Sequence, residues 1–205
     1  CDDTRSSRTY YPAKGQSALL TYEDLHPDFS DVDFNDVAFR IHMFYDSNAS
    51  GEVVSMNAVI DPVALGGVEN NGLAATFPFD RDGTTVEMNI GGAGWNAVTL
   101  DPAESNATAV FFDNLRSLYG GQSGVINAKP GVARLSAPRV EIRVTVAPGT
   151  SFSGFGSSIP VDIFIFKTDT ETPTSRHEIH FPEFTGTSKI DGTKANFIHS
   201  SGVPF

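Results

Sequence analysis

The sequence predicts an all-β fold: an antiparallel β-sandwich, jelly-roll-like, with long loops and at most one short helix. Three observations predict it. Apolar residues recur with period two, turn clusters rich in Gly, Pro, Asp and Asn separate the apolar runs, and no stretch sustains a 3.6-residue period. The 205 residues, 40 % of them hydrophobic and including 16 Phe, can fill one sizeable core. A closed barrel is the alternative arrangement of the same strands.

Taken in order, residues 1–9 read as a polar N-terminal tether or arm, and residues 10–205 as a single β-sandwich domain. The first strand is Ala18 to Tyr22. Val37 to Tyr45 and Glu52 to Ile60 follow, joined by the turn cluster Asp46-Ser-Asn-Ala-Ser-Gly51. Leu73 to Phe79 and Thr84 to Ile90 flank Asp80-Arg-Asp-Gly83 as a hairpin would. Ala107 to Phe112 comes next, after which Asp113 is placed to cap one short turn running through Leu115 and Leu118. The clearest alternation sets Val140, Ile142, Val144 and Val146 against Arg139, Glu141, Arg143 and Thr145, the pattern of a half-buried strand. Gly149 to Ser158 reads as a long loop within the domain, because Ile159 to Phe166 resumes the strand pattern and His177 to Phe181 continues it.

Charge narrows the partners. With 14 Lys and Arg against 25 Asp and Glu, the net charge of −11 repels phosphate backbones and anionic lipid, so nucleic acid is excluded and cations are favoured. No apolar run approaches the roughly 20 residues of a spanning helix. Cys1 is the only cysteine, which leaves no intrachain disulfide and no thiolate zinc site. A chain opening on Cys1 reads either as a lipoprotein acylated there after signal removal or as an excerpt cut at that point. Membrane contact is then expected only through a lipid on Cys1.

Chemistry concentrates between Glu23 and Asp36, a segment holding six of the 25 acidic residues and no Lys or Arg. Asp31, Asp33, Asn35 and Asp36 offer hard oxygen ligands, and in an extended chain alternate residues share a face, with Val32 and Phe34 turned to the core. Calcium is favoured over magnesium because it accepts six to eight oxygens in flexible geometry. An EF-hand is rejected, since Asp36 stands where that loop needs Gly and His42 where it needs Glu. Glu23 and Asp24, at the end of the preceding strand, are the first candidates to complete the ligand set. Asn70, Asn71 and Asp113 rank second. Asn71-Gly72 reads equally as a turn with Gly at positive φ, and the whole segment as a solvated acidic loop.

The same residues carry a resemblance. Tyr22-Glu-Asp-Leu-His-Pro followed by Asp31-Val-Asp-Phe-Asn-Asp-Val resembles the signature of the LruC domain family of bacterial cell-surface and secreted proteins. Three further blocks fit in order: Gly66-Gly-Val-Glu-Asn-Asn-Gly-Leu73, Val110-Phe-Phe-Asp-Asn-Leu-Arg-Ser-Leu-Tyr119 and Arg176-His-Glu-Ile-His-Phe-Pro182. His26 stands where the family usually has Trp, and Ser30 where it has Gly. The resemblance implies an extracellular, β-rich domain on the outer cell surface, without an established enzymatic activity. It also strengthens the calcium reading, and, since family members usually continue in a final apolar strand where this sequence stops at Phe205, it implies either that a C-terminal strand is left out or that another segment completes that edge.

Catalysis is not expected. No Gly-x-Ser-x-Gly elbow occurs, and His177-Glu178-x-His180 on a strand would aim its two histidines to opposite sides, so it is read as ordered structure with His180 hydrogen-bonded. Two binding roles remain. One is recognition of a glycan or a host or cell surface, with Trp95, in Gly91-Gly-Ala-Gly-Trp-Asn96, either stacking on a sugar or closing the core edge. The other is self-association through sheet edges or strand donation, as in a filament or layer. If the acidic loop holds calcium, Asp33→Ala should lower the melting temperature only when calcium is present. Equal losses in calcium and in EDTA would remove Asp33 from the ligand set.

Overall fold

The computed structural model describes residues 5–24, 35–150, 152, 159–181 and 184–192. Among them are eleven strands: β1 (Ser7–Tyr11), β2 (Ala18–Tyr22), β3 (Val37–Ser47), β4 (Val53–Ala64), β5 (Asn71–Asp80), β6 (Thr85–Ile90), β7 (Trp95–Val98), β8 (Asn106–Phe112), β9 (Val140–Thr145), β10 (Asp162–Thr172) and β11 (Ser175–Ile179). They form two antiparallel sheets. The larger runs β1-β3-β4-β9-β6-β7, with β2 also on β3, and the smaller runs β11-β10-β5-β8.

Alternation places the core between the sheets. On β9, Val140, Ile142 and Val144 are buried, while Glu141 and Arg143 turn outward and Arg143 pairs with Glu87 of the adjacent β6 at 2.7 Å. Phe39, Ile41, Met43, Met56, Ile60 and Ile142 of the larger sheet meet Leu73, Phe77, Phe79, Phe111, Ile163 and Ile165 of the smaller. β10 is buried on both faces, because Phe164 and Phe166 pack with Ala74 in a second apolar cluster. That strand reads as a continuous apolar run for this reason.

The 11 residues of β3 serve two partners along one edge. β1 pairs with Met43 to Ser47, and β2 with Val37 to Ile41. On the other side of β3, Pro62 of β4 faces Phe39 next to a register shift, where a residue without an N–H can be accommodated inside a sheet.

The structure corrects four readings. Ser7 to Thr9, assigned to the arm, belong to β1, where the Arg8 guanidinium grips Asp46 through two hydrogen bonds of 2.6 and 2.9 Å. Trp95 to Val98, within the Gly-rich stretch, form the edge strand β7. The short helix is a 3-10 turn over Leu115–Tyr119, and its cap is Asn114, not Asp113, with the Asn114 side chain accepting from the Arg116 N–H at 2.9 Å. Asn71-Gly72 is the start of β5, and Gly72 is not at positive φ. Gly72 is needed there because a Cβ would fall into the Phe166 ring. Gly72→Ala should therefore cost about 1–3 kcal/mol in urea unfolding, the usual cost of overpacking a tight core. An unchanged midpoint would show that the ring has room to move.

Candidate metal centre

β2 ends at Tyr22, which pairs with Val37, the first residue of β3. The residues leaving one strand and entering the other are thereby set side by side. Tyr22 stacks on Phe39 at 5.7 Å, and its hydroxyl donates to the Ile163 carbonyl of β10 at 2.6 Å, which draws this corner into the seam between the sheets. The result brings Glu23, Asp24 and Asp36 together, with one oxygen of each within 4.8 Å of the others. The Asp24 backbone N–H donates to Asp36 Oδ2 at 3.0 Å. From the smaller sheet, Asn71 Nδ2 donates to Asp24 Oδ2 at 2.8 Å.

Two glycines close the corner. The Gly66 N–H reaches the Asn35 and Asp36 carbonyls at 3.1 and 2.9 Å. A Cβ on Gly67 would lie 2.5 Å from Asp24 Oδ2 and 2.9 Å from Asp36 Oδ1, so only glycine leaves both carboxylates in place. Arg116, buried at the start of the 3-10 turn, holds this loop from behind: its Nη2 donates to the Gly67 carbonyl at 2.9 Å and to that of Glu69 at 3.3 Å.

The electrostatics are strained without a cation. Burial, reinforced by a hydrogen bond with Glu23, pushes the Asp36 carboxyl up to about 8. Burial also raises Asp24, against the lowering effects of Asn71 and Lys167 and with Glu69 and Glu23 adding to the rise. Lys167 answers only part of this charge, lying 3.7 Å from Glu69. Every candidate donor is a carboxylate or amide oxygen, with no thiolate or imidazole among them, a set that suits calcium or magnesium and not zinc or copper.

Of the residues singled out in the sequence, Glu23, Asp24 and Asp36 converge here. Asn35 lies beside them, its side chain filling the space where a Cβ of Gly66 would point. Asp31 and Asp33 lie outside the described residues, as does Cys1. Asn71 joins the corner, whereas Asn70 bonds Asp169 and accepts from Asn114, and the Asp113 carbonyl accepts from Thr168. Gly67 and Arg116 were not anticipated. Their only sequence signal is membership of the same ordered blocks that contain Asn71 and Asn114.

A second polar cluster lies under the outer face of the smaller sheet. Glu178 accepts from Arg176 Nε at 2.8 Å, Thr187 Oγ1 at 2.6 Å and the Thr187 N–H at 2.9 Å, and pairs with His180 Nε2 at 2.8 Å. His180 Nδ1 sits 2.9 Å from both Asp162 oxygens, and the ring stacks on Phe164 at 4.3 Å. Burial would raise Glu178, but His180, Arg176 and Thr187 together hold it down at about 2. Burial would lower His180, yet Asp162 and Glu178 keep it raised. Two cations thus meet two buried anions, with Glu171 a third at 3.8 Å from Arg176, and His180 is hydrogen-bonded as expected.

A family model described as a domain of unknown function, DUF4842, matches residues 51–201. No curated protein matches the sequence. Among solved structures, the crystal structure of a "putative lipoprotein" from Bacteroides ovatus aligns with a TM-score of 0.54 at 18 % identity, over 84 % of this chain and 55 % of that one. The chain therefore spans about half the length of that protein, and at this identity the likeness is one of fold.

Because Glu178 is depressed below its ordinary value, it stabilises the fold above about pH 4.5 and that contribution is lost as pH falls towards about 2. Glu178→Gln should cost about 3–5 kcal/mol in denaturant unfolding at pH 7, since it leaves two buried cations short of a counter-charge. The gap to the unsubstituted chain should narrow as the pH falls through that window. A gap independent of pH would mean that shape, not charge, accounts for the loss.

Proposed function

We propose, from the premise that the chain belongs to the DUF4842 family, that it is a calcium-binding, extracellular β-sandwich domain of a bacterial cell-surface or secreted protein acting in surface recognition or adhesion. The observation that carries this reading is the corner of Glu23, Asp24 and Asp36, where three carboxylates share 4.8 Å at the seam of two sheets. Burial keeps Asp36 protonated up to about pH 8 in the absence of an ion, and a bound calcium would replace that proton with two positive charges. Asp31 and Asp33, five and three residues before Asp36 in the sequence, would supply further oxygens.

The resemblance to the LruC family through the Glu23-Asp24-Leu25 and Asp31-x-Asp-Phe-Asn-Asp36 motifs supports both the ion and the extracellular setting. A fold shared with a protein described as a "putative lipoprotein" supports a surface location, and Cys1 is the residue that would carry the lipid. Recognition is assigned to the surface around Trp95, which is 40 % exposed on the edge strand beside the exposed Asn96. The Arg143 guanidinium lies 4.4 Å from the indole centre and covers one face of the ring, and a sugar would stack on the other. No catalytic step is assigned to the domain.

Thermal unfolding in EDTA, in 10 mM calcium and in 10 mM magnesium tests the ion. A site with a dissociation constant of about 0.1–1 mM should raise the melting temperature by about 3–10 °C in calcium and by less in magnesium. No rise, together with no calcium in elemental analysis of the purified protein, would overturn the reading.

A further inference from the structure

The corner holds one group that a cluster of carboxylates leaves unexplained. Asn71 is 4 % exposed, and while its Nδ2 donates to Asp24, its Oδ1 has no hydrogen-bond partner among the described residues. A buried amide oxygen without a donor costs about 1–3 kcal/mol. The oxygen and nitrogen share one carbon, so with Nδ2 at 2.8 Å from Asp24 Oδ2 the Oδ1 atom lies within about 5 Å of that carboxylate.

We infer that Asn71 Oδ1 is a ligand of the same calcium ion, making the ion a clasp between the two sheets; this rests on the calcium reading above. Glu23, Asp24 and Asp36 come from the β2 and β3 ends of the larger sheet, and Asn71 is the first residue of β5 in the smaller. An amide is the group that satisfies both demands at this position. Its N–H holds Asp24 in place, and its oxygen offers a neutral donor where a fourth carboxylate would add repulsion before the ion arrives. Gly72, pressed against Phe166, and the pairing of Asn71 with Lys167 on β10 fix the backbone from which the amide projects. The clasp lies on the same seam as the hydrogen bond from Tyr22 to Ile163, so the ion and the phenol tie the layers at neighbouring points.

Calcium titration calorimetry on the full chain and on Asn71→Ala and Asn71→Asp tests the assignment. Asn71→Ala should weaken binding about tenfold or more. Asn71→Asp cannot donate to Asp24 but keeps an oxygen, so it should bind at least as well as the unsubstituted chain. Loss of binding in both variants would make Asn71 a holder of Asp24 and overturn its role as ligand, as would undiminished binding by Asn71→Ala. If the unsubstituted chain binds no calcium, the calcium reading itself falls, a result distinct from either. Should Asn71→Ala fail to fold, hydrogen exchange on the unsubstituted chain decides: calcium should slow the amides of Leu73 and Ala74 as well as those of β2. Protection confined to β2 and β3 would overturn the clasp.

Discussion

The pairing of Tyr22 with Val37 governs what the chain can do at its polar corner. In an antiparallel pair the residues just beyond the last rung are forced to be neighbours, whatever their charge. Here those residues are acidic on both sides, and the hydrogen bond from Tyr22 to Ile163 carries the rung into the seam, where Glu23 and Asp24 are buried and Asp36 half-buried, so that water screens them less. Gly66 and Gly67 can approach because they have no side chain, and Arg116 holds the loop there through the carbonyl oxygens of Gly67 and Glu69 without neutralising the carboxylates. Repulsion is thus built into the fold by its register, and a proton on Asp36 relieves part of it.

The two buried polar clusters illustrate the difference between a finished network and an unfinished one. Around Glu178, each charge faces an opposite charge and nearly every lone pair has a donor, so the set is complete and its burial is tolerable. At the seam, three carboxylates converge beside the Asn71 amide, whose oxygen has no hydrogen-bond partner among the described residues, with Lys167 as the neighbouring counter-charge. Chemical completeness, more than depth of burial, distinguishes the two clusters.

Much of the fold was legible in the sequence, and the reasons are local. β2 matched its predicted span and β9 nearly so, because apolar and polar residues alternate there with one face on the core. β1 and β7 were missed since their residues, Ser7 to Tyr11 and Trp95 to Val98, sit at sheet edges with exposed or half-buried side chains, and an edge strand carries no alternation to read. The gathering of Glu23, Asp24 and Asp36 was anticipated from acidic crowding next to a strand end. What the sequence could not rank was Asn71 over Asn70, two adjacent and chemically identical residues. Only the strand's facing decides that one meets Asp24 and the other Asp169.

Among the described residues, the edges of this sandwich are either short or covered. One flank of the larger sheet is broken into β1 and β2, each of five residues, and the other ends in β7, with four. On the smaller sheet, a bridge from Leu100 to Ala109 shields β8, and the return of Lys189 and Asp191 onto Arg176 shields β11. A foreign strand would find only a few backbone groups in a row before the ladder is interrupted. Among the described residues, then, the sandwich offers an approaching strand no long open ladder, and its backbone hydrogen bonds are kept for its own two sheets.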